Sequence, residues 1–169
     1  MKENCKAYRR LAIALLLSLP PLASALQTDK DQATYIEAES VDIDDRKGIS
    51  IYKGHVELTQ GSIRLNAAKI VVTQKQNRSD HIVAVGRPVT FQQKTDGNKG
   101  MVKGRSSKVE YSVDSEIIHM IGKAILVQGK DTFKSDRITY DRAKAIVKAG
   151  ASAKGKRVHV TIGGKSSKK

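Results

Sequence analysis

The sequence predicts an all-β protein of about sixteen short strands, packed as two facing sheets in jelly-roll or sandwich fashion and open at both ends. Three observations support this fold class. Apolar and polar residues alternate with a period of two along most of the chain, glycine-rich turn signals interrupt the alternation at short intervals, and the chain repeats itself internally. Helical periodicity is nowhere sustained.

The alternation marks the individual strands. Pairs such as Val41 and Ile43, or the run Val109, Tyr111 and Val113, place apolar side chains at every second position and so on one face of a strand. The interruptions between these runs fall at residues 46–48, Gly54, Gly61, residues 77–79, residues 86–88, residues 96–98, Gly122, Gly129 and Gly150. We therefore expect short strands that end at each interruption.

An internal repeat of 68 residues runs through the chain. Moving the sequence by this distance, without a gap, aligns Gly54 with Gly122 and residues 60–61 with residues 128–129 as identical pairs. Shorter units lie within the repeat, and the glycines that mark their starts are Gly54, Gly86, Gly122 and Gly150. A unit of three or four strands cannot bury its apolar face alone, so about four units are expected to stack around one continuous core.

The N-terminus has the three parts of a secretory signal peptide: a basic start, an apolar run from Leu11 to Leu19, and the small residues 23–25. Cleavage after Ala25 leaves 144 residues, a length typical of one domain. Because the only cysteine, Cys5, lies in this leader, the mature chain has no disulfide and no thiolate site. The predicted organisation is a signal peptide at 1–25, a single β domain at 26–162 and a basic, disordered tail at 163–169.

The ends of the predicted stack have little protection against strand addition. Pro88 is the only proline after the leader, and few edge-blocking residues guard the first and last strands. A closed outer-membrane barrel is the competing architecture, but it needs strands of about 9 to 11 residues and aromatic girdles facing lipid. Since the predicted strands are shorter and poor in aromatic residues, we expect the apolar face to point inward.

The mature chain carries a formal charge of +11, because the leader takes four basic residues and one acidic residue from a total of +14. This excess favours an anionic partner. Nucleic acid does not fit an exported protein, and the chain has only two Phe, five Tyr and no Trp on which bases could stack. A phosphorylated lipid or an anionic glycan fits better, and the alternative is that the charge only keeps the protein soluble.

Signatures of catalysis or metal binding are absent from the sequence. None of the four histidines has the spacing of a zinc site, and no nucleophile elbow, P-loop or dinucleotide glycine motif occurs. The acidic residues Asp42, Asp44 and Asp45 resemble the start of a calcium loop, but its sixth and twelfth positions are Lys47 and Lys53. We therefore expect a protein that is not an enzyme and that holds no metal or cofactor.

Four segments in this order resemble the OstA-like lipopolysaccharide-transport proteins. They are the runs at residues 59–72, 86–91, 135–140 and 155–158. The resemblance extends from about Tyr35 to Ile162, which is nearly the whole mature chain. It implies a slightly twisted antiparallel β-jelly roll in the periplasm, whose interior holds the acyl chains of lipid A.

The resemblance also implies site residues and partners. The residues that would line the lipid path are Thr34, Ile36, Phe91, Tyr111 and Val113. The basic residues that we expect to attract the head group are Lys69, Arg137, Lys156 and Arg157. End-to-end strand pairing is implied with like-folded domains of inner-membrane and outer-membrane transport proteins and with other copies of this chain, so that a bridge carries lipopolysaccharide across the periplasm.

Two other functions stay open on the sequence. A structural scaffold that connects envelope proteins would have the same stacked strands around a dry, filled core. An enzyme acting on a glycan is a more distant alternative, since it would need a pair of carboxylates in a cleft and the sequence marks none.

Overall fold

The structure is a computed structural model that describes residues 29–75, 78–95, 100–150 and 157–163. The predicted signal peptide and the predicted tail beyond Gly163 lie outside these ranges. A short 3-10 turn at Asp29–Asp31 precedes the strands, which are β1 Thr34–Glu37, β2 Ser40–Asp44, β3 Ile49–Gln60, β4 Ile63–Lys75, β5 Arg78–Lys94, β6 Met101–Ser112, β7 Ile117–Gln128, β8 Asp131–Asp141, β9 Ile146–Gly150 and β10 His159–Thr161. The all-β class is confirmed. Within the described ranges, no helix has the length and apolarity needed to cross a membrane.

The strands form one antiparallel, unclosed sheet in the order β1-β3-β4-β5-β6-β7-β8-β10, with β2 paired to β3 and β9 paired to β8. Each ladder between consecutive long strands, from β3 to β8, has a register shift near its middle. Such irregularities bend a strand and increase its twist. Each long strand therefore contributes one segment to each of two facing layers.

The two layers follow from the pairing on either side of the shifts. The first layer contains β1, β10 and the segments of the long strands between them, because β1 pairs with the second half of β3 and β10 with the first half of β8. The second layer contains β2, β9 and the remaining segments, because β2 pairs with the first half of β3 and β9 pairs with the second half of β8. We call the edge at the register shifts the spine, and the edge where the turns lie the turn side.

The prediction of about sixteen strands is wrong, because the described residues form ten. Three of the predicted turns, at Gly54, Gly86 and Gly122, are positions in the middle of β3, β5 and β7, where the register shifts. These glycines lie at the spine and do not start new units. Each layer contains eight strand segments, which correspond to the predicted short strands in two facing sheets. Six segments of one layer, however, continue into the other layer as the long strands β3 to β8.

The 68-residue repeat is confirmed in the backbone. Gly54 and His55 have φ values of 82° and 41°, and Gly122 and Lys123, at the equivalent positions, have 80° and 50°. Non-glycine residues rarely adopt positive φ, so its occurrence at both His55 and Lys123 indicates the same bulge in both halves of the chain.

The turns on the turn side repeat in the same way. Gln74 N donates to Gly48 O at 2.7 Å, and Arg142 N donates to Glu116 O at 3.0 Å. Gly48 and Glu116 both have positive φ, 62° and 55°. These bonds therefore fix the backbone of Gln74 near the end of β4 and that of Arg142 directly after β8.

The core lies between the layers. Alternate residues of each long strand are buried, so that in β3 Val56 and Leu58 face the core while Glu57 is exposed. Aliphatic side chains dominate the fully buried set, which includes Ile70, Met120, Leu126 and Ile138 together with Tyr140. Full burial of each such side chain stabilises the fold by about 1.5–3 kcal/mol.

Both ends of the stack expose apolar residues. At the first end these are Tyr35 of β1 and Val41 and Ile43 of β2. At the last end they are Ile146 of β9, Val160 of β10, and Val158 and Ile162, which flank β10. Because the sheet is not closed, β1, β2, β9 and β10 are edge strands within the described chain.

Candidate functional site

The space between the layers opens at the first end of the stack. A cavity of about 320 Å³ lies there, and we call it the end cavity. Its walls come from β1 in the first layer and from β3, β4 and β5 in the second, with the lining residues Thr34, Ile36, Ser50, Tyr52, Val72, Gln74 and Ile82. Thr34 and Ile36, predicted from the sequence, thus lie on one wall of an interlayer cavity.

A second, much smaller cavity of about 20 Å³ lies deeper in the stack, and we call it the central cavity. It is lined by Leu58, Gln60, Ile63, Leu65, Ile82, Phe91, Val109, Tyr111, Ile118 and Arg142. A space of this size holds about one water molecule. The apolar interior is therefore packed at this depth, and a bulky ligand can enter only if the layers separate.

Four of the predicted interior residues line the two cavities. Thr34 and Ile36 line the end cavity, Phe91 and Tyr111 line the central cavity, and Ile82 is part of the wall of both. Val113 packs against the core and is half-buried. It follows β6 in the turn at residues 113–116, so its predicted position on a middle strand is corrected.

The predicted head-group residues do not form a cluster. Lys69 and Arg137 lie next to the register shifts of β4 and β8, at the spine, with three strands between them in the sheet order. Arg157 is exposed just before β10 and lines an outer hollow with Lys123 and Lys134. Lys156 lies outside the described residues. Among the described residues, Lys69 therefore lies apart from Arg137 and shares no hollow with Arg157.

Sequence reasoning missed Arg142, a buried polar residue that contacts both layers. Its side chain is only 4% exposed although it follows β8 directly in a turn. Nε donates to Gln93 Oε1 at 2.9 Å, and Nη1 donates to the Tyr111 hydroxyl. The guanidinium also lies 5.4 Å from the centroid of the Tyr111 ring, within the range of a cation–π contact.

Two carboxylates balance the Arg142 charge. Asp29 Oδ2 lies 3.7 Å from Nη2, and Glu116 Oε2 lies 3.8 Å from Nη1. Gln93 and Asp29 belong to the first layer and the segment leading into it, whereas Tyr111, Glu116 and Arg142 belong to the second. Arg142 therefore ties the two layers together on the turn side.

Burial affects the phenol in this network. Loss of solvent raises the pKa of the Tyr111 hydroxyl above its usual value of 10.0, while the nearby Arg142 charge acts in the opposite direction. The hydroxyl therefore stays neutral at physiological pH and can accept from Arg142 without adding a charge to the interior.

One signal in the sequence could have identified Arg142. The residue 68 positions earlier, at the equivalent place near the end of β4, is Gln74. A basic residue that departs from the repeat at a position pointing between the layers is unusual, whereas the neighbouring Lys144 is an ordinary exposed residue.

Fold and interior together define an open, two-layered β-jelly-roll protein with an apolar core between its layers and a cavity at one end. Residues 35–146 match the family described as LptA/(LptD N-terminal domain) LPS transport protein, and the chain belongs to this family. It is similar to the lipopolysaccharide export system protein LptH of Pseudomonas aeruginosa, with 33% identity over 130 residues that cover 76% of this chain and 74% of LptH.

Two further similarities agree. The lipopolysaccharide export system protein LptA of Escherichia coli K12 is 35% identical over 154 residues, covering 90% of this chain and 82% of that protein. The crystal structure of LptH, described as the LptA-homologous periplasmic component of the lipopolysaccharide transport device of Pseudomonas aeruginosa, superposes with a TM-score of 0.76. That match has 28% sequence identity and covers 82% of this chain and 100% of the LptH chain.

Proposed function

We propose that this protein is a periplasmic component of a lipopolysaccharide export system, which binds lipopolysaccharide and passes it on without changing it. The observation that carries the proposal is the apolar interior between two layers that open at one end, in a chain of this family. The predicted export signal and the positive charge of the mature chain agree with a periplasmic protein that handles an anionic lipid.

The acyl chains would lie between the layers. Their path would begin at Thr34 and Ile36 in the end cavity, continue past Ile82 and reach Phe91 and Tyr111 at the central cavity. Each methylene removed from water contributes about 0.8 kcal/mol, so several covered carbons suffice to hold a lipid with many chains. Val113, which packs against the same core, would complete the wall on the turn side.

The phosphates of the head group would stay near solvent. Lys69, Arg137, Lys156 and Arg157 remain candidates for a diffuse attraction that salt screens, with a Debye length of about 8 Å at physiological ionic strength. Because Lys69 lies three strands away from Arg137, we propose for these residues a contribution to the rate of encounter rather than a defined binding site.

The ends of the stack would join it to its partners. The edge strands β1 and β2 at one end and β9 and β10 at the other offer unpaired backbone groups and exposed apolar side chains, among them Tyr35, Val41 and Val160. Strand addition at such edges is a common mode of association. We propose that other copies of this chain, and like-folded domains of inner-membrane and outer-membrane transport proteins, dock there and align successive interiors.

A structural scaffold is the second candidate, because the small central cavity is what a filled core would have. Retention of ligand distinguishes the two functions. Purified protein mixed with lipopolysaccharide should keep it through size exclusion and native electrophoresis. No retention at protein concentrations up to about 100 µM, well above a typical micromolar Kd, would contradict the carrier function and favour the scaffold.

A further inference from the structure

The Asp29 carboxylate lies in a cradle of hydrogen-bond donors. Ser62 N donates to Oδ1 at 2.6 Å and Ser62 Oγ donates to Oδ2 at 2.8 Å. Gln93 Nε2 donates to Oδ2 at 3.0 Å, and Arg142 Nη2 is 3.7 Å from the same oxygen. Amide, hydroxyl and guanidinium groups that converge in this way form the donor set of an anion site.

The backbone around the cradle leaves room for the anion. Gly61, in the turn between β3 and β4, has a φ of 57°, and a Cβ at this position would collide with Asp29 Oδ1. A side chain at residue 61 would therefore fill the place that the carboxylate occupies. The absence of one lets the amide of Ser62 face an anion directly.

The cradle is next to apolar space. Arg142, which supplies the positive charge, also lines the central cavity together with Phe91, Leu58 and Ile118. Its side chain is 4% exposed, so its charge acts in a region from which water is largely excluded. An anion site beside an aliphatic interior fits an amphiphile, with its phosphate on the turn side and its acyl chains between the layers.

We propose that the cradle of Ser62, Gln93 and Arg142 is a binding site for a phosphate group of the lipid, and that Asp29 occupies this site when the interior is empty. The proposal rests on the proposed function. A phosphate monoester carries a charge of about −1.5 to −2 and three strong acceptor oxygens, so it can satisfy the donors better than a carboxylate. Glu116 would keep its place, since it pairs with Nη1 whereas Asp29 pairs with Nη2.

The first test uses Asp29→Asn, which removes the competing charge and keeps the size of the side chain. Binding is measured with lipopolysaccharide and with the same lipopolysaccharide after chemical removal of its phosphates, at constant ionic strength. Asp29→Asn should bind the phosphorylated form more tightly by roughly fivefold or more, the lower end of typical coupling between sites. It should bind the dephosphorylated form as wild type does.

The matched control is Asp114→Asn, which makes the same charge change at an exposed residue of the turn after β6. Its affinity for both lipids should equal that of wild type. An equal gain in the two Asp→Asn variants, or an equal gain for the two lipids in Asp29→Asn, would overturn the phosphate site and leave lipid binding itself intact.

A second measurement does not depend on lipid. Inorganic phosphate should shift the amide resonance of Ser62 in Asp29→Asn. In the double variant Asp29→Asn, Ser62→Ala, which keeps the amide of residue 62 but lacks the hydroxyl donor, the same shift should require a higher phosphate concentration. Absence of a shift in Asp29→Asn would overturn the site. If phosphate shifts the resonance but no variant binds lipopolysaccharide, the proposed function fails and the anion site stands.

Discussion

Gln93 Oε1 accepts a 2.9 Å hydrogen bond from Arg142 Nε, and this contact joins a strand of the first layer to the turn that follows the last long strand of the second. The two residues are 49 positions apart. This hydrogen bond and the ion pair between Arg142 and Asp29 hold the layers together on the turn side, opposite the spine.

Removal of the Arg142 charge should destabilise the fold strongly. In Arg142→Met, Asp29 and Glu116 each lose the positive charge beside them while they remain mostly buried, and loss of one member of such a network costs about 3 kcal/mol. Lys144→Met is the control, because Lys144 pairs with Asp141 at 3.3 Å but is 71% exposed, and such a pair contributes less than about 1 kcal/mol. Urea unfolding measures both free energies; similar values for the two variants would refute the role of Arg142.

Alkaline pH should destabilise the protein through two buried tyrosines. Burial raises the pKa values of Tyr111 and Tyr140 above 10.0, so the folded state retains these protons longer than the unfolded state does. Their contribution to stability is complete below about pH 10 and is lost as the pH rises through the raised values. Tyr111→Phe should therefore lose less stability than wild type between about pH 9 and pH 11. Parallel profiles of the two proteins in chemical denaturation would contradict this account.

A charge in the end cavity should weaken lipid binding without unfolding the protein. Ile36 is half-buried at the end of the stack, and Ile36→Glu places a carboxylate on the wall where acyl chains would lie. We expect retention of lipopolysaccharide to fall by about tenfold, which corresponds to a loss of roughly 1.4 kcal/mol in binding free energy. This loss is smaller than the cost of fully burying an unpaired charge. Tyr35→Glu, at the exposed neighbouring position, should retain wild-type binding. Equal retention by Ile36→Glu and wild type would remove Ile36 from the lipid path.

Interruption of the last edge strand should weaken association between copies. Val160 lies in the middle of β10, which pairs with β8 through only three residues. Proline at residue 160 removes a backbone donor and blocks strand addition, so Val160→Pro should raise the dissociation constant of self-association about tenfold or more. Val160→Thr keeps the donor and the branched side chain and is the control. Unchanged sedimentation profiles for Val160→Pro would exclude docking at this edge.

The bulges at the spine should depend on glycine. Gly122 has a φ of 80°, and a Cβ there would lie 3.1 Å from Ser107 Oγ. Gly122→Ala should lower the free energy of unfolding by about 1–2 kcal/mol, the cost of a positive φ in a non-glycine residue. Gly150→Ala is the control, because Gly150 has no positive φ and no atom of the described residues lies within 4 Å of the added Cβ. Thermal unfolding compares them, and equal midpoints would mean that the bulge does not need glycine.

Much of the fold could be predicted because the alternation reports burial directly. Val56 and Leu58 are buried and Glu57 between them is exposed, as a period of two requires. The glycine breaks were less informative, since a glycine with positive φ serves equally well in a turn or in a bulge. Gly61 is in a turn and Gly54 is in a bulge, and the choice depends on pairing with neighbouring strands.

The polar part of the site could not be predicted for a related reason. Arg142 is followed by Ala143 and Lys144 in a short hydrophilic turn, which reads as solvent-exposed. Its burial results from Gln93, Tyr111 and Asp29, which come from distant parts of the chain and meet only when the layers fold together. Local sequence has no information about such a convergence.

Photo-crosslinking tests the central claim, that lipid lies between the layers, most directly. A photoreactive residue at Ile36, Phe91 or Tyr111 should crosslink to lipopolysaccharide, whereas the adjacent outward positions Glu37, Thr90 and Glu110 should crosslink weakly or not at all. This pattern is expected because successive residues of a strand face opposite sides of the sheet. Equal crosslinking from inward and outward positions, or none from the inward ones, would contradict transport through the interior.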